Sequence, residues 1–233
     1  MSYTVMPSVL SLTNTILREI GEPAVGTMNP GTLNTNIVLE AINDCVADIY
    51  NRGRFEFQKV DYTFALVAGQ NEYQLPSDFK TMELPLRVAG SQSSKFVERT
   101  AEEFWNESYG APNITSSTGS PSIYYIGASK IHLWPTPDAG FVASAPNLTF
   151  TYYKNIPARL EASDGSSSPD LPLEFYDAVK KYGKSRLKEY LQFDDAMLNY
   201  QQYEQALQIQ QNRARQGLKS AQMRQQYGPS RLR

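Results

Sequence analysis

The stretch Leu171–Arg215, LPLEFYDAVKKYGKSRLKEYLQFDDAMLNYQQYEQALQIQQNRAR, decides the fold. It holds no proline after Pro172, and Pro172 falls in a first helical turn, where the missing N–H would have no partner anyway. Glu174 and Asp177 put acid near the positive end of the helix dipole. Phe175, Tyr176, Val179, Tyr182, Leu187 and Tyr190 recur at steps of three and four. With the aliphatic stem of Arg186 among them they make one apolar face. Asp194 or Asp195 caps a second helix, or marks the bend of a single one. The face beyond it is Met197, Tyr200, Tyr203 and Leu207, turning polar at Gln210 or Gln211. End to end the stretch spans about 60 Å. A small domain of its own cannot cover that length, so another element must pack along it.

The charge changes within this stretch. Six of the 22 basic residues and none of the 24 acidic ones come after Glu204. The first 204 residues therefore carry 16 basic and 24 acidic groups, a charge of −8, against +6 on the tail. An acidic body with a basic, glutamine-rich end reads as a protein-docking arm ahead of a solvated tail or a phosphate-binding one.

Outward from this stretch, the N-terminal third is also helical. Ser8 or Ser11 caps a helix striped by Val9, Leu12, Ile16 and Ile20, which Gly21 and Pro23 end. A second helix, about 33–52, carries the clearest periodicity in the chain: Ile37, Val38, Ala41, Ile42, Cys45, Val46 and Ile49. From Phe55 the period becomes 2. Tyr62, Phe64 and Leu66, the turn residues Ala68-Gly69-Gln70-Asn71, and 72–75 predict a hairpin. Residues 82–88 predict a strand, and 101–109 a short helix capped by Thr100. Residues 110–121 predict an exposed loop, and 122–126 with 130–134 a second hairpin. Residues 148–154 predict a strand with Leu148, Phe150 and Tyr152 on one face. Residues 161–169, EASDGSSSP, predict a solvated linker.

Helices, then short strands, then helices predict an α+β chain. Each lone helical pair is marginal, so the two pairs must share their apolar faces. The predicted architecture is an antiparallel helical bundle (1–55 and 157–212), an inserted small antiparallel β-domain (56–156) and an extended basic C-terminal arm (213–233). The bundle seam is Ile37, Ala41, Ile42, Cys45, Ile49, Phe175, Val179, Tyr182 and Leu187.

Chemistry is sparse. There is no Gly-rich phosphate loop, GxSxG, HExxH or CxxC. His132, the one histidine, alternates with Ile131 and Leu133 and is expected on a strand's outer face. No metal or cofactor is expected. Cys45 reads as a small buried hydrophobe, and no apolar run approaches a membrane span. The adjacent carboxylates Glu102–Glu103 and Asp194–Asp195 read as helix N-terminal acids, since neighbours on a helix do not face each other across a cleft. The 15 tyrosines leave two readings open, a surface buried against another protein or the edge of the core.

Several segments together carry a resemblance: ILREIGEPAV (16–25), NRGRFEF (51–57), NEYQLPSDF (71–79), PSIYYIGASKIHLWPTPD (121–138), LTFTYYKNIP (148–157) and LPLEFYDAVKKYGKSRL (171–187). In this order the chain resembles the head–tail adaptor (connector) proteins of tailed bacteriophages, tail tubular protein A-like. The resemblance implies a non-enzymatic virion protein of the neck, assembled in the host cytoplasm. It implies a ring, dodecameric, between the portal above and the tail tube or nozzle below, with DNA passing through without sequence-specific binding. It further implies that the C-terminal segment docks on the portal, here through Arg213, Arg215, Lys219, Arg224, Tyr227, Arg231 and Arg233. The alternatives are a tail-associated cell-wall or polysaccharide hydrolase using a carboxylate pair, and a nucleic-acid-binding protein.

Overall fold

The computed structural model describes residues 6–28, 32–91, 96–109 and 117–226, with the side chains of the last helix described to Arg215. In chain order the elements are α1 (Val9–Glu19), α2 (Leu33–Arg52), β1 (Lys59–Ala65), β2 (Glu72–Gln74), β3 (Phe79–Val88), β4 (Val97–Glu98), α3 (Ala101–Tyr109), β5 (Thr118–Gly119), β6 (Ile123–Gly127), β7 (Lys130–Trp134), β8 (Thr136–Pro137), α4 (Ala139–Ser144), β9 (Asn147–Lys154), α5 (Tyr176–Tyr190) and α6 (Ala196–Gln226). The fold is α+β. The chain divides into two compact units, Met1–Phe57 with Ile156–Arg233, and Gln58–Asn155.

The first unit is helical, and α1, α2, α5 and α6 all feed one core. Val9, Leu12, Ile16, Val38, Ile42, Cys45, Ile49, Phe175, Val179, Leu187 and Tyr203 are fully buried in it. Phe175 sits edge-on to Phe55 and Phe57, with centroids 5.1 and 5.4 Å away. Ile16 lies so close to Gly183 that a Cβ there would meet its Cδ1 at 2.6 Å, so a glycine lets α1 and α5 approach. Asn43 ties α2 to Leu160 through both its amide groups, at 2.8 and 2.9 Å.

The stretch 161–169 is not the free linker its composition predicts. It contains a short 3-10 turn (Ala162–Asp164), and its carbonyls cap α1: Val9 N–H donates to Ser167 O at 2.8 Å and Leu10 N–H to Gly165 O at 3.0 Å. The first N–H groups of a helix have no internal acceptor. Here the Ser8 hydroxyl takes one, from Ser11 at 3.3 Å, and the serine-rich segment supplies two more.

The second unit holds two larger sheets around a separate core, and a two-stranded pairing of β5 with β8. One has the order β1-β9-β3, with β9 central and antiparallel to both. Phe64, Leu148, Phe150 and Tyr152 face the core. Pro85, which donates no ladder bond, lies where β3 slips register between Leu84 and Arg87. The other has the order β2-β7-β6-β4. The predicted hairpin of Tyr62–Leu66 with 72–75 does not form, because β1 pairs β9 and β2 pairs β7. The intervening turn closes on a side chain instead. The Tyr73 hydroxyl accepts from Val67 N–H at 3.1 Å and donates to Gln70 O at 2.9 Å. Within the predicted loop 110–121, Thr118–Gly119 forms a short parallel bridge to β8.

The β6–β7 hairpin turns on Ala128 and Ser129, at φ 50° and 61°. Both are left-handed, as a type I′ turn requires, and neither is a residue that favours it. Replacing them together (Ala128→Asn, Ser129→Gly) is expected to stabilise this unit by about 1 kcal/mol. The check is the urea midpoint followed by tryptophan fluorescence, since Trp105 and Trp134 both belong to this unit.

Candidate assembly interface

Among the described residues, no group of three or more His, Cys, Asp or Glu is placed to hold a metal ion. Glu103 closes a capping box at α3, taking the Thr100 N–H and hydroxyl at 3.0 Å while Thr100 Oγ1 accepts from Glu103 N–H at 3.3 Å. Those bonds hold the Glu103 carboxyl below its ordinary range. Asp195 receives the Lys188 ammonium, which likewise lowers its pKa. Asp194 remains exposed.

His132 is not on an outer face. It is 8% exposed, because α3 packs over β6 and brings aromatic rings across the sheet. Tyr125 stacks on it at 4.4 Å and 13°, Trp105 lies at 6.5 Å, and Nδ1 is 3.5 Å from Glu72. Its Nε2 is buried with no hydrogen-bond partner among the described residues. Alternation alone finds the strand face but not the helix that later covers it.

The seam residues Ile42, Cys45, Ile49, Phe175, Val179 and Leu187 are fully buried and Ala41 nearly so, while Ile37 and Tyr182 are half-buried against the same core. The helix α6 runs unbroken for 31 residues, about 46 Å. Residues 213–226 thus continue the helix rather than forming a separate extended arm. Arg213 and Arg215 are exposed on it. Lys219 and Arg224 belong to it without described side chains, and Tyr227, Arg231 and Arg233 lie outside the described residues.

The root of α6 is held by polar groups. The Tyr203 hydroxyl donates to Asp48 of α2. Arg52 bridges Asp48 at 2.7 Å and Glu204 at 2.6 Å. Gln210 and Gln211 reach the carbonyls of Glu174 and Arg52 at 3.0 and 3.4 Å, the second being the last carbonyl of α2, which has no acceptor role inside its own helix. Burial first, and then the neighbouring Cys45 and Asp48, push the Tyr203 phenol up. Burial pushes the Cys45 thiol up too. Arg52 beside it holds Glu204 below the carboxylate range. A carboxyl depressed in the folded state stabilises above its unfolded pKa and loses that contribution as pH falls through the folded one. The helical unit is therefore expected to lose stability as pH falls below about 4.3. Glu204→Gln should flatten that part of the slope in thermal melts followed at 222 nm.

Beside this root lies a groove between α2, the end of α5 and the start of α6. It comprises two hollows of about 470 and 540 Å³ that share Arg186 and Glu189. Tyr182, Tyr190, Met197 and Tyr200 give it an apolar, hydroxyl-tipped floor, and Glu40, Asp44, Glu189 and Asp194 an acidic rim. Met197, predicted to face the core, is 65% exposed here, as are Tyr190 at 49% and the adjoining Phe193 at 46%. The core side of α6 is instead Tyr200, Tyr203, Ala206, Leu207 and Ala214. Arg186 spans to Glu189 at 2.8 Å, and Arg159 reaches Glu40 at 2.6 Å. No helix among the described residues is long and apolar enough to cross a membrane.

The family model described as SU10 adaptor protein matches residues 7–229. The chain belongs to the SU10 adaptor protein family. It is thus a structural phage adaptor, a virion component that assembles with other virion proteins. No curated protein matches it.

Proposed function

We propose that this adaptor works as a ring, of tail tubular protein A-like type and dodecameric as the resemblance implies, joining the portal above to the tail tube or nozzle below. It sits in the virion neck, is assembled in the host cytoplasm and has no catalytic activity. The observation that carries the reading is α6, a long helix rooted by Asp48, Arg52 and Glu204 whose basic end lies beyond the last acidic residue of the chain. Such an end serves a neighbouring protein better than its own core. The seven residues after Gln226, with Tyr227, Arg231 and Arg233 among them, are the part that docks on the portal.

The body, at −8 over its first 204 residues, lines the channel for DNA without holding its phosphates. Deleting the chain from the phage is expected to yield DNA-filled heads without tails by electron microscopy, with tails restored when the chain is supplied in trans. Tails attached to heads in its absence would refute the reading.

A further inference from the structure

The groove beside the root of α6 has a chemistry that names its occupant. Its lining carries Glu40, Asp44, Glu189 and Asp194 against Arg186, and Arg159 pairs with Glu40 and Asp44 at 2.6 and 3.7 Å, which leaves a charge of −2. Its floor is tyrosine and methionine, side chains that bury apolar area and still accept polar neighbours. Four acids on a tyrosine floor fit a helix that carries cations and no acid. The chain has one such helix, the distal part of α6, where Arg213, Arg215, Lys219 and Arg224 come after the last acidic residue.

The helix cannot serve its own groove. Met197 and Tyr200, at its start, already line that groove, and α6 continues unbroken to Gln226. At 1.5 Å per residue Arg213 lies about 20 Å beyond Tyr200 and Gln226 about 39 Å. Continuous to Gln226, the helix carries its cations away from the acids it matches.

We propose that the groove of α2, α5 and α6 receives the basic distal part of α6, 213–226, from a second copy of this chain. This rests on the proposed ring and names the contact that links neighbouring copies. The contact is heterologous, groove to helix, and such contacts close into rings when the rotation allows it. It leaves the residues after Gln226 for the portal.

Two full-length variants test it against portal-bearing heads. A groove-reversed chain (Glu189→Lys, Asp194→Lys) presents a basic groove and a basic helix. An arm-reversed chain (Arg213→Glu, Arg215→Glu, Lys219→Glu, Arg224→Glu) presents an acidic groove and an acidic helix. Glu189, Asp194, Arg213 and Arg215 are exposed, and circular dichroism checks that both variants fold. Incorporation into heads is measured by sedimentation. The parent is expected to incorporate, each variant alone to fail, and the equimolar mixture to incorporate as alternating copies, because each helix then meets a groove of opposite sign. Variants that incorporate singly overturn the contact and leave the adaptor reading standing. Folded variants that fail both singly and mixed also overturn it, and place the portal or another protein in the groove. A parent that does not incorporate sinks the ring reading and this contact with it.

Discussion

Phe175→Ala is expected to destabilise the helical unit by about 3–5 kcal/mol, more than most single substitutions cost. The ring is fully buried. It stands edge-on to Phe55 and Phe57, and Phe57 is itself edge-on to Tyr50 at 5.5 Å. Removing Phe175 takes one ring from this cluster and leaves a space in the core that α1, α2, α5 and α6 share. The loss thus includes the buried area, the aromatic contacts and a cavity. The two cores share no residue, so only one unit should respond. In urea, the helical transition at 222 nm should move to lower concentration while the fluorescence of Trp105 and Trp134 in the other unit holds its midpoint. A tryptophan midpoint that falls in step would show that the two units unfold as one.

How much of the fold is legible in the sequence depends on how local each signal is. The α2 seam and the β6–β7 hairpin depend on residues within a few positions of each other, and the structure places those elements where periodicity and turn residues predict. Pro172 does not fall in the first turn of α5: it is extended before a short 3-10 turn (Leu173–Phe175), and α5 begins at Tyr176. Strand pairing is not legible in the same way. Tyr62–Leu66 alternates like a strand, but its partner is β9, more than 80 residues on, as in the Tyr62↔Phe150 pair. Alternation states that a strand has a buried face and not which strand lies beside it. His132 escapes a reading by alternation for the same reason, because the helix that covers it comes from another part of the chain. The segment 161–169 has the composition of a linker, yet its carbonyls are what the N–H groups of α1 need. Of the candidate interface, the basic end of α6 can be counted directly. The groove cannot, since its acids come from α2, α5 and the α5–α6 turn and meet only in three dimensions. Met197 reads as core by spacing, but the packed side of the first turn of α6 is Asn199, 6% exposed, with the Ala196 carbonyl accepting from Ser185 of α5 at 3.0 Å, and Met197 points elsewhere.

The second large effect concerns Asp48, which joins α2 to α6. Its carboxylate accepts from the Tyr203 hydroxyl and pairs with Arg52. Asp48→Ala removes both interactions and leaves a phenol buried without an acceptor, since Tyr203 is fully buried. A buried polar group left unsatisfied costs about 1–3 kcal/mol. Arg52 keeps Glu204, and its side chain is 34% exposed, so the lost ion pair adds little. The expected total is about 2–3 kcal/mol. Tyr203→Phe separates the parts. It removes the donor but keeps the ring in the core, and Asp48 still has Arg52, so the expected cost is about 1 kcal/mol. The order Asp48→Ala, then Tyr203→Phe, then parent should appear in urea midpoints at 222 nm with unchanged slopes. Native-state hydrogen exchange should show why the order matters for assembly: amides of α6 near Tyr203 exchange faster in Asp48→Ala, while those of α1 keep their parental rates. If both variants lower the midpoint equally, the phenol's unmet hydrogen bond is not the dominant cost. If α1 loosens along with α6, Asp48 supports the whole core and not the seating of one helix. The distinction bears on function because a helix about 46 Å long, held chiefly at its base, points its cations wherever that base is fixed.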